Sequence, residues 1–301
     1  MSVVASAPGK IVLAGEYAVL WGAPAISMAV NRRALATVSP NDVGECRLAT
    51  PGFDGDGGFR IVDTVANDGR PACDLELDST AFVEDGKKTG IGSSAALTVA
   101  LLAATQETTD VYAAALAAHS RLQGGAGSGV DVASAVHGGL IEYECTNRSV
   151  RRLSWPRDLL FRVIWSGVPA STTERVEQLA NRTTKASRSA LLLAAPRIRD
   201  AWVAGDADAI LAEYVGYIGV LRQFSVDHDL GIFDAGHDEL TDAAMADGLV
   251  YKPAGAGGGD IGILFGRDTA DLDAFLQHRA DMIHGVLSCE LEPDGVRLES
   301  R

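Results

Sequence analysis

The chain has 301 residues, 47% of them hydrophobic and 22% charged, the balance of a soluble globular protein with room for one large domain or two medium ones. Its formal net charge of −14 argues against general binding to nucleic acid or to an anionic membrane. An anionic ligand therefore needs a local cluster of cations and N–H donors set against a repulsive overall field.

From Val3 to about Val38, short apolar runs punctuated by Gly9, Gly15, Gly22 and Pro24 read as four strands, over 3–6, 11–14, 25–29 and 34–38. Residues 40–70 hold many Gly and Asp and read as turns around one short strand. Lys88-Thr89-Gly90-Ile91-Gly92-Ser93-Ser94 then runs into Ala95-Ala96-Leu97-Thr98-Val99-Ala100, strong helix-forming sequence that predicts a helix near 93–105. A glycine loop feeding a helix N-terminus presents unpaired N–H groups and the positive end of the dipole, which suits a phosphate. It is not a P-loop, because G-x-x-x-x-G-K-[ST] is absent and the lysine precedes the glycines. The Rossmann spacing is absent too, which removes a nicotinamide dehydrogenase from consideration.

A second helix is predicted from Asp110, placed as its N-cap, to about Leu122. A second glycine-rich segment over 124–131 leads into a short helix that Gly138-Gly139 ends, and a strand over 140–143 follows. The polar stretch 145–158 has no period and is placed as the junction between domains 1–155 and 156–301. The second half opens with a strand over 160–165, long helical sequence over 172–224 and a helix over 237–247. A third glycine-rich segment over 252–260, a strand over 261–265, a helix over 270–278 and two closing strands complete it. This strand-helix-strand-strand-helix-strand order predicts a split βαβ, ferredoxin-like half.

Cys46, Cys73, Cys145 and Cys289 are far apart with no C-x-x-C, and the amino terminus has no basic n-region or long apolar core. Reduced thiols in a cytoplasmic protein without a signal peptide are the expectation. Only five lysines occur, and four of them, Lys10, Lys87, Lys88 and Lys252, lie in or beside glycine-rich segments. If both halves face one cleft, the three glycine-rich segments would wrap a polyanionic ligand from several sides. Each residue also has a plain reading. Lys10 fits a solvated strand end, Asp131 an N-cap of the short helix, and Ser171-Thr172 an N-cap of the long helical stretch. Arg32-Arg33 and Arg151-Arg152 read as surface charge or, for one member of either pair, as a contact to a substrate phosphate; His119 reads as a helix-surface histidine, and His137, His228 and His237 form no ligand spacing.

Ala7-Pro8-Gly9-Lys10 with Gly15-Glu16-Tyr17-Ala18-Val19-Leu20, the loop 90–96 and the segment 255–260 resemble, in order and separation, the three motifs of the GHMP kinase superfamily. The resemblance covers nearly the whole chain. Several details are most similar to the phosphomevalonate kinase family. Tyr17 stands where mevalonate kinases usually carry histidine, and Lys88 where they more often begin with Pro and Gly. Val30-Asn31-Arg32, the loop 123–133, Ser166-Gly167 with Ala170-Ser171-Thr172, and Lys252-Pro253 through Asp260 also resemble that family's pattern.

The resemblance implies an α+β, two-domain GHMP kinase fold: an N-terminal α/β domain with a left-handed βαβ-type unit, a C-terminal ferredoxin-like domain, and the active site in the cleft between them. It implies ATP-dependent phosphorylation of 5-phosphomevalonate to 5-diphosphomevalonate in the mevalonate route to isoprenoids. Mevalonate kinase is the alternative, and a non-catalytic GHMP-fold binding protein ranks below both because Lys10, Asp131 and all three loops are present. Lys88, Gly90, Gly92, Ser93, Ser94 and Ala95 are expected on the nucleotide phosphates, with Ser94 also on Mg²⁺. Asp131 is expected to orient the attacking group or take its proton, and Lys10 to offset charge on the transferring phosphoryl. Tyr17, Ser128, Gly129, Ser171, Thr172, Gly255, Ala256 and Gly257 are expected on the substrate. The implied partners are ATP and a small molecule, with no nucleic acid or membrane, for a monomer or homodimer. One departure stands out. Mevalonate kinases carry a magnesium-ligating glutamate eleven residues before the catalytic aspartate, and here that position is Ser120. Neighbouring His119 is a poor substitute, since Mg²⁺ prefers oxygen ligands.

Overall fold

Pro8 and Gly9 lie inside a strand rather than end one, whereas Gly15, Gly22 and Pro24 fall in the connection to the next. β1 (Val3–Ala14) and β2 (Ala25–Pro40) form one long antiparallel pair where four short strands were expected. The register slips where Pro8 faces Arg33 and Gly9 faces Val30, so Asn31 and Arg32 bulge out of the ladder. The computed structural model describes residues 1–52, 57–66, 72–105, 108–125, 127–170, 175, 178–179 and 185–300.

After β2 come β3 (Arg47–Ala49), α1 (Gly57–Val65), β4 (Cys73–Asp78) and a hairpin of β5 (Val83–Glu84) and β6 (Lys87–Lys88). Then follow α2 (Ser93–Thr105), α3 (Val111–Leu122), α4 (Val130–His137), β7 (Leu140–Glu144) and β8 (Ser149–Leu153). β4 and β7 both pair with β2, at its two ends, and β3 and β8 extend the sheet outward from them. α1 departs from the turns expected over 40–70: it buries Ile61 and Val62. In α2 every residue from Ala95 to Leu102 is buried, as an all-round apolar helix requires. It lies against β1 and β2 and is covered by α3 and α4. α3 starts where the sequence places it, with the Asp110 carboxylate accepting from Ala113 N–H at 2.9 Å.

The second half contains β9 (Leu160–Trp165), α5 (Lys185–Ala204), α6 (Ala207–His228), α7 (His237–Ala246), β10 (Val250–Pro253), β11 (Ile261–Gly266), α8 (Thr269–His278) and β12 (Gly285–Leu287). Their sheet runs β10-β11-β9-β12, antiparallel throughout, which is the split βαβ order expected. The long helical stretch divides before Asp206, whose carboxylate caps α6 through the N–H groups of Asp208 and Ala209.

β13 (Arg297–Leu298) does not close this sheet. It crosses back to pair with β1 at Ala5 and Ser6. Arg33, expected as surface charge, is the reason: it donates to the carbonyls of Asp294 and Gly295 and sits 3.5 Å from Glu292. Arg152 likewise donates to the Pro293 carbonyl, while Arg151 pairs with Glu142 and Arg32 with Glu84. An aromatic group from α5, α6 and β11 joins the two sheets. Tyr214 stacks on Phe265 at 5.2 Å, takes the Trp202 indole N–H, and donates to the Leu13 carbonyl on β1. No helix among the described residues is long and apolar enough to cross a membrane.

Candidate active site

Lys10 leaves β1 beside the first glycine loop, its backbone N–H bonded to the Ile91 carbonyl at 2.8 Å. Its side chain runs across Gly92, where an added Cβ would lie 3.1 Å from Lys10 Cγ. Gly92 also has φ +88, so the position favours glycine twice over. The ammonium ends 3.6 Å from Asp131 Oδ1 and 3.8 Å from where a Cβ on Gly255 would stand. One side chain thus touches all three glycine-rich segments.

Asp131 does not cap α4. Gly129 occupies the cap position, and Asp131 lies in the first turn with its carboxylate partly exposed. The plain reading of Asp131 as an N-cap is therefore replaced by an acid at the positive end of a helix, paired with Lys10.

The third segment rests on the first. Gly90, at φ +77, carries the Asp260 carboxyl so closely that a Cβ would come within 2.2 Å of Asp260 Cγ. Asp260 also accepts from Ala170 N–H at 3.0 Å. Burial raises its carboxyl pKa, opposed by that N–H and by the Lys10 and Arg175 charges. His237 anchors the same segment from behind: Nε2 meets the Gly259 carbonyl at 3.0 Å and Nδ1 meets the Tyr251 hydroxyl at 2.7 Å. The carbonyl can only accept, so Nε2 carries the proton of a neutral ring, in keeping with a pKa lowered by burial.

Two cavities meet at Lys10, Gln123 and Asp131. An open cleft of about 400 Å³ lies along the first loop, lined by Lys88, Gly90, Gly92, Ser93, Ser94 and Arg60. Ala95 is wholly buried behind this loop. A narrower cavity of about 90 Å³ lies on the other side, with Tyr17, Ser128, Gly129, Gly255 and Ala256 among its walls and Val12, Val19 and Leu20 as its apolar part. Gly257 does not line it and backs onto the Ile232 carbonyl. Ser171 and Thr172 lie outside the described residues.

The sequence reading missed three features. Arg60 lines the cleft from α1, a helix that composition disguised as turns. His119, expected on a helix surface, is 2% exposed; its Nε2 lies 3.2 Å from Ser94 Oγ, and burial lowers its pKa. Glu16 and Lys252 form a fully buried ion pair; Glu16 reads from the sequence as a structural support, but its pairing with Lys252 does not show there. Among the described residues no group of three or more His, Cys, Asp or Glu is arranged to hold a metal ion; the oxygen-bearing side chains lining the cleft include Ser93, Ser94, Asp131 and Asp260.

Residues 60–139 match the family model for the GHMP kinases N terminal domain. A phosphomevalonate kinase of Streptomyces sp. strain CL190 is 32% identical over 97% of both chains. A mevalonate kinase of Archaeoglobus fulgidus is 29% identical over 98% of this chain and 99% of that one. Among solved structures, Streptococcus pneumoniae phosphomevalonate kinase in complex with phosphomevalonate and AMPPNP superposes with a TM-score of 0.81 at 21% identity, covering 97% and 99% of the two chains. With a two-sheet fold in common and a full-length relative above 30% identity, the chain belongs to the GHMP kinase family.

Proposed function

We propose that the cleft catalyses ATP-dependent phosphorylation of 5-phosphomevalonate, giving 5-diphosphomevalonate and ADP in the mevalonate route to isoprenoids. The observation that carries this reading is the shared wall: Lys10 and Asp131 stand between a cationic, loop-lined cleft and a small, partly apolar cavity. Phosphoryl transfer needs its two partners held in line and the charge on the moving group offset, and little covalent help. The N-terminus of α2, with Lys88 and Arg60, suits the nucleotide phosphates. The full-length relative at 32% identity carries the phosphomevalonate kinase name, while the mevalonate kinases match less closely. In this reading residues 1–155 form the nucleotide lobe and 156–301 the second lobe, apart from the C-terminal β13, which joins the first sheet.

A phosphate acceptor alters what Asp131 has to do. A phosphate monoester is mostly dianionic at neutral pH, with a second pKa of about 6, so its attacking oxygen has no proton to give up. Asp131 then acts by holding the Lys10 ammonium between two anionic groups, where it offsets charge in the transition state. Lys10 is the only lysine or arginine lining the narrow cavity among the described residues. The acceptor phosphate therefore belongs at Lys10, with the carbon skeleton against Val12, Val19 and Leu20. Ser94 Oγ would hold Mg²⁺, which keeps most of its waters and takes few protein ligands. When bound with the nucleotide, that ion screens the phosphate charge.

A coupled ADP-release assay with 5-phosphomevalonate and mevalonate in parallel tests the assignment: turnover is expected with the former, and turnover with mevalonate alone overturns it. Lys10→Met and Asp131→Asn should keep the wild-type melting profile and lose turnover by about 10² or more. Near-normal turnover in both would remove them from the chemistry.

A further inference from the structure

Lys252 on β10 has a side chain 0% exposed, and its partner Glu16 is 1% exposed. Taking two charges out of water is costly enough that an apolar pair of similar volume usually serves stability as well or better. What the pair offers instead is direction. Lys252 Nζ bonds Glu16 Oε1, while the Tyr217 hydroxyl of α6 donates to Oε2 at 2.8 Å and accepts the Gly15 N–H at 2.9 Å. The next residue, Tyr17, donates its hydroxyl to the Ala256 carbonyl at 2.7 Å. Two consecutive residues of the segment after β1 therefore grip two points of the 252–256 segment, which belongs to the other sheet. Glu16, Tyr17, Gly255 and Ala256 are all walls of the narrow cavity.

We infer that Glu16, Lys252 and Tyr217 are positioning residues that set the spacing of the two walls of the acceptor cavity. Lys252 and Tyr217 line neither cavity, and Glu16 forms part of the wall of the narrow one. Their effect passes through Tyr17 and Ala256, and it falls on the acceptor rather than on the nucleotide, whose cleft lies on the far side of Lys10. The inference rests on reading the narrow cavity as the acceptor site.

The decisive variant is the double substitution Glu16→Leu with Lys252→Met, which removes both charges and keeps the volume. It should melt within about 5 °C of wild type. Its KM for 5-phosphomevalonate should rise about tenfold or more while the KM for ATP changes less than about threefold. A wild-type acceptor KM, or equal rises for both substrates, overturns the inference. If the double variant does not fold, Tyr217→Phe takes its place, since it keeps the ion pair and the ring and removes only the shared hydroxyl. An acceptor-selective KM rise of about threefold or more is then expected, and unchanged kinetics overturn the inference. Wild-type protein that never turns over 5-phosphomevalonate instead defeats the reading of the reaction, so the two failures are distinct.

Discussion

Ser94 and His119 lie 25 residues apart and meet at 3.2 Å, one at the start of α2 and the other near the end of α3. Burial lowers the His119 pKa, so at neutral pH the ring is uncharged and can accept the Ser94 hydroxyl proton. With its one hydroxyl proton given to His119, Ser94 Oγ keeps its lone pairs for a nucleotide-bound cation. In the proposed reaction the residue before Ser120 would thus orient the serine rather than bind the metal itself. His119 also lines the narrow cavity, so His119→Leu should raise the KM for Mg-ATP about tenfold and leave the acceptor KM open to a smaller change. His119→Gln, whose amide can reach the same hydroxyl, should recover most of the loss. Initial rates over a Mg-ATP series decide it: an unchanged KM in the leucine variant would mean that Ser94 needs no such orientation.

At the level of elements, the glycine segments work as surfaces that let other parts of the chain come close. Gly90 leaves room for the Asp260 carboxyl, and the contact fixes the third segment over the first. Gly90→Ala puts a methyl into that carboxyl and a side chain at φ +77. It should cost about 1–3 kcal/mol of stability and about tenfold or more in kcat/KM for ATP. Adding Asp260→Gly relieves the collision but not the backbone strain. The double variant should therefore regain part of the melting temperature, and no recovery at all would show that the collision is not what matters. Elements with a strong local signal were legible in the sequence: α2 by its apolar run, α3 by its Asp110 cap, the second sheet by its strand order. α1 was not, because Gly57-Gly58 and the acidic, glycine-rich surroundings hide a helix that tertiary burial of Ile61 and Val62 stabilises. The fusion of four strands into two was hidden as well, since a bulge and a turn share the same residues.

For the molecule as a whole, Lys10, Lys88 and Asp131 were marked in the sequence by their glycine-rich context, while Arg60 was not. Lys10 beside Asp131 was expected; the other pairings across the chain were not: Glu16 with Lys252, Tyr17 with Ala256, Ser94 with His119 and Arg33 with the returning C-terminus. No local period encodes contacts made over long separations, because the packing of the two sheets decides them. The same scale governs how substrates arrive. Both are anions approaching a chain of 26 basic and 40 acidic side chains, through a cleft where Lys10, Arg60 and Lys88 outnumber the carboxyls of Asp131 and Asp260. At about 0.01 M salt the Debye length is about 30 Å, so the whole negative body repels the substrate; at about 0.15 M it is about 8 Å, and only the cleft is felt. kcat/KM for 5-phosphomevalonate should therefore rise about two- to fivefold between those salt concentrations and fall again toward about 1 M, as the cleft cations are screened in turn. A steady fall from the lowest salt onward would mean that the cleft's own field outweighs the body's even at a distance. Such a result would place more positive charge at the mouth than Lys10, Arg60 and Lys88 supply.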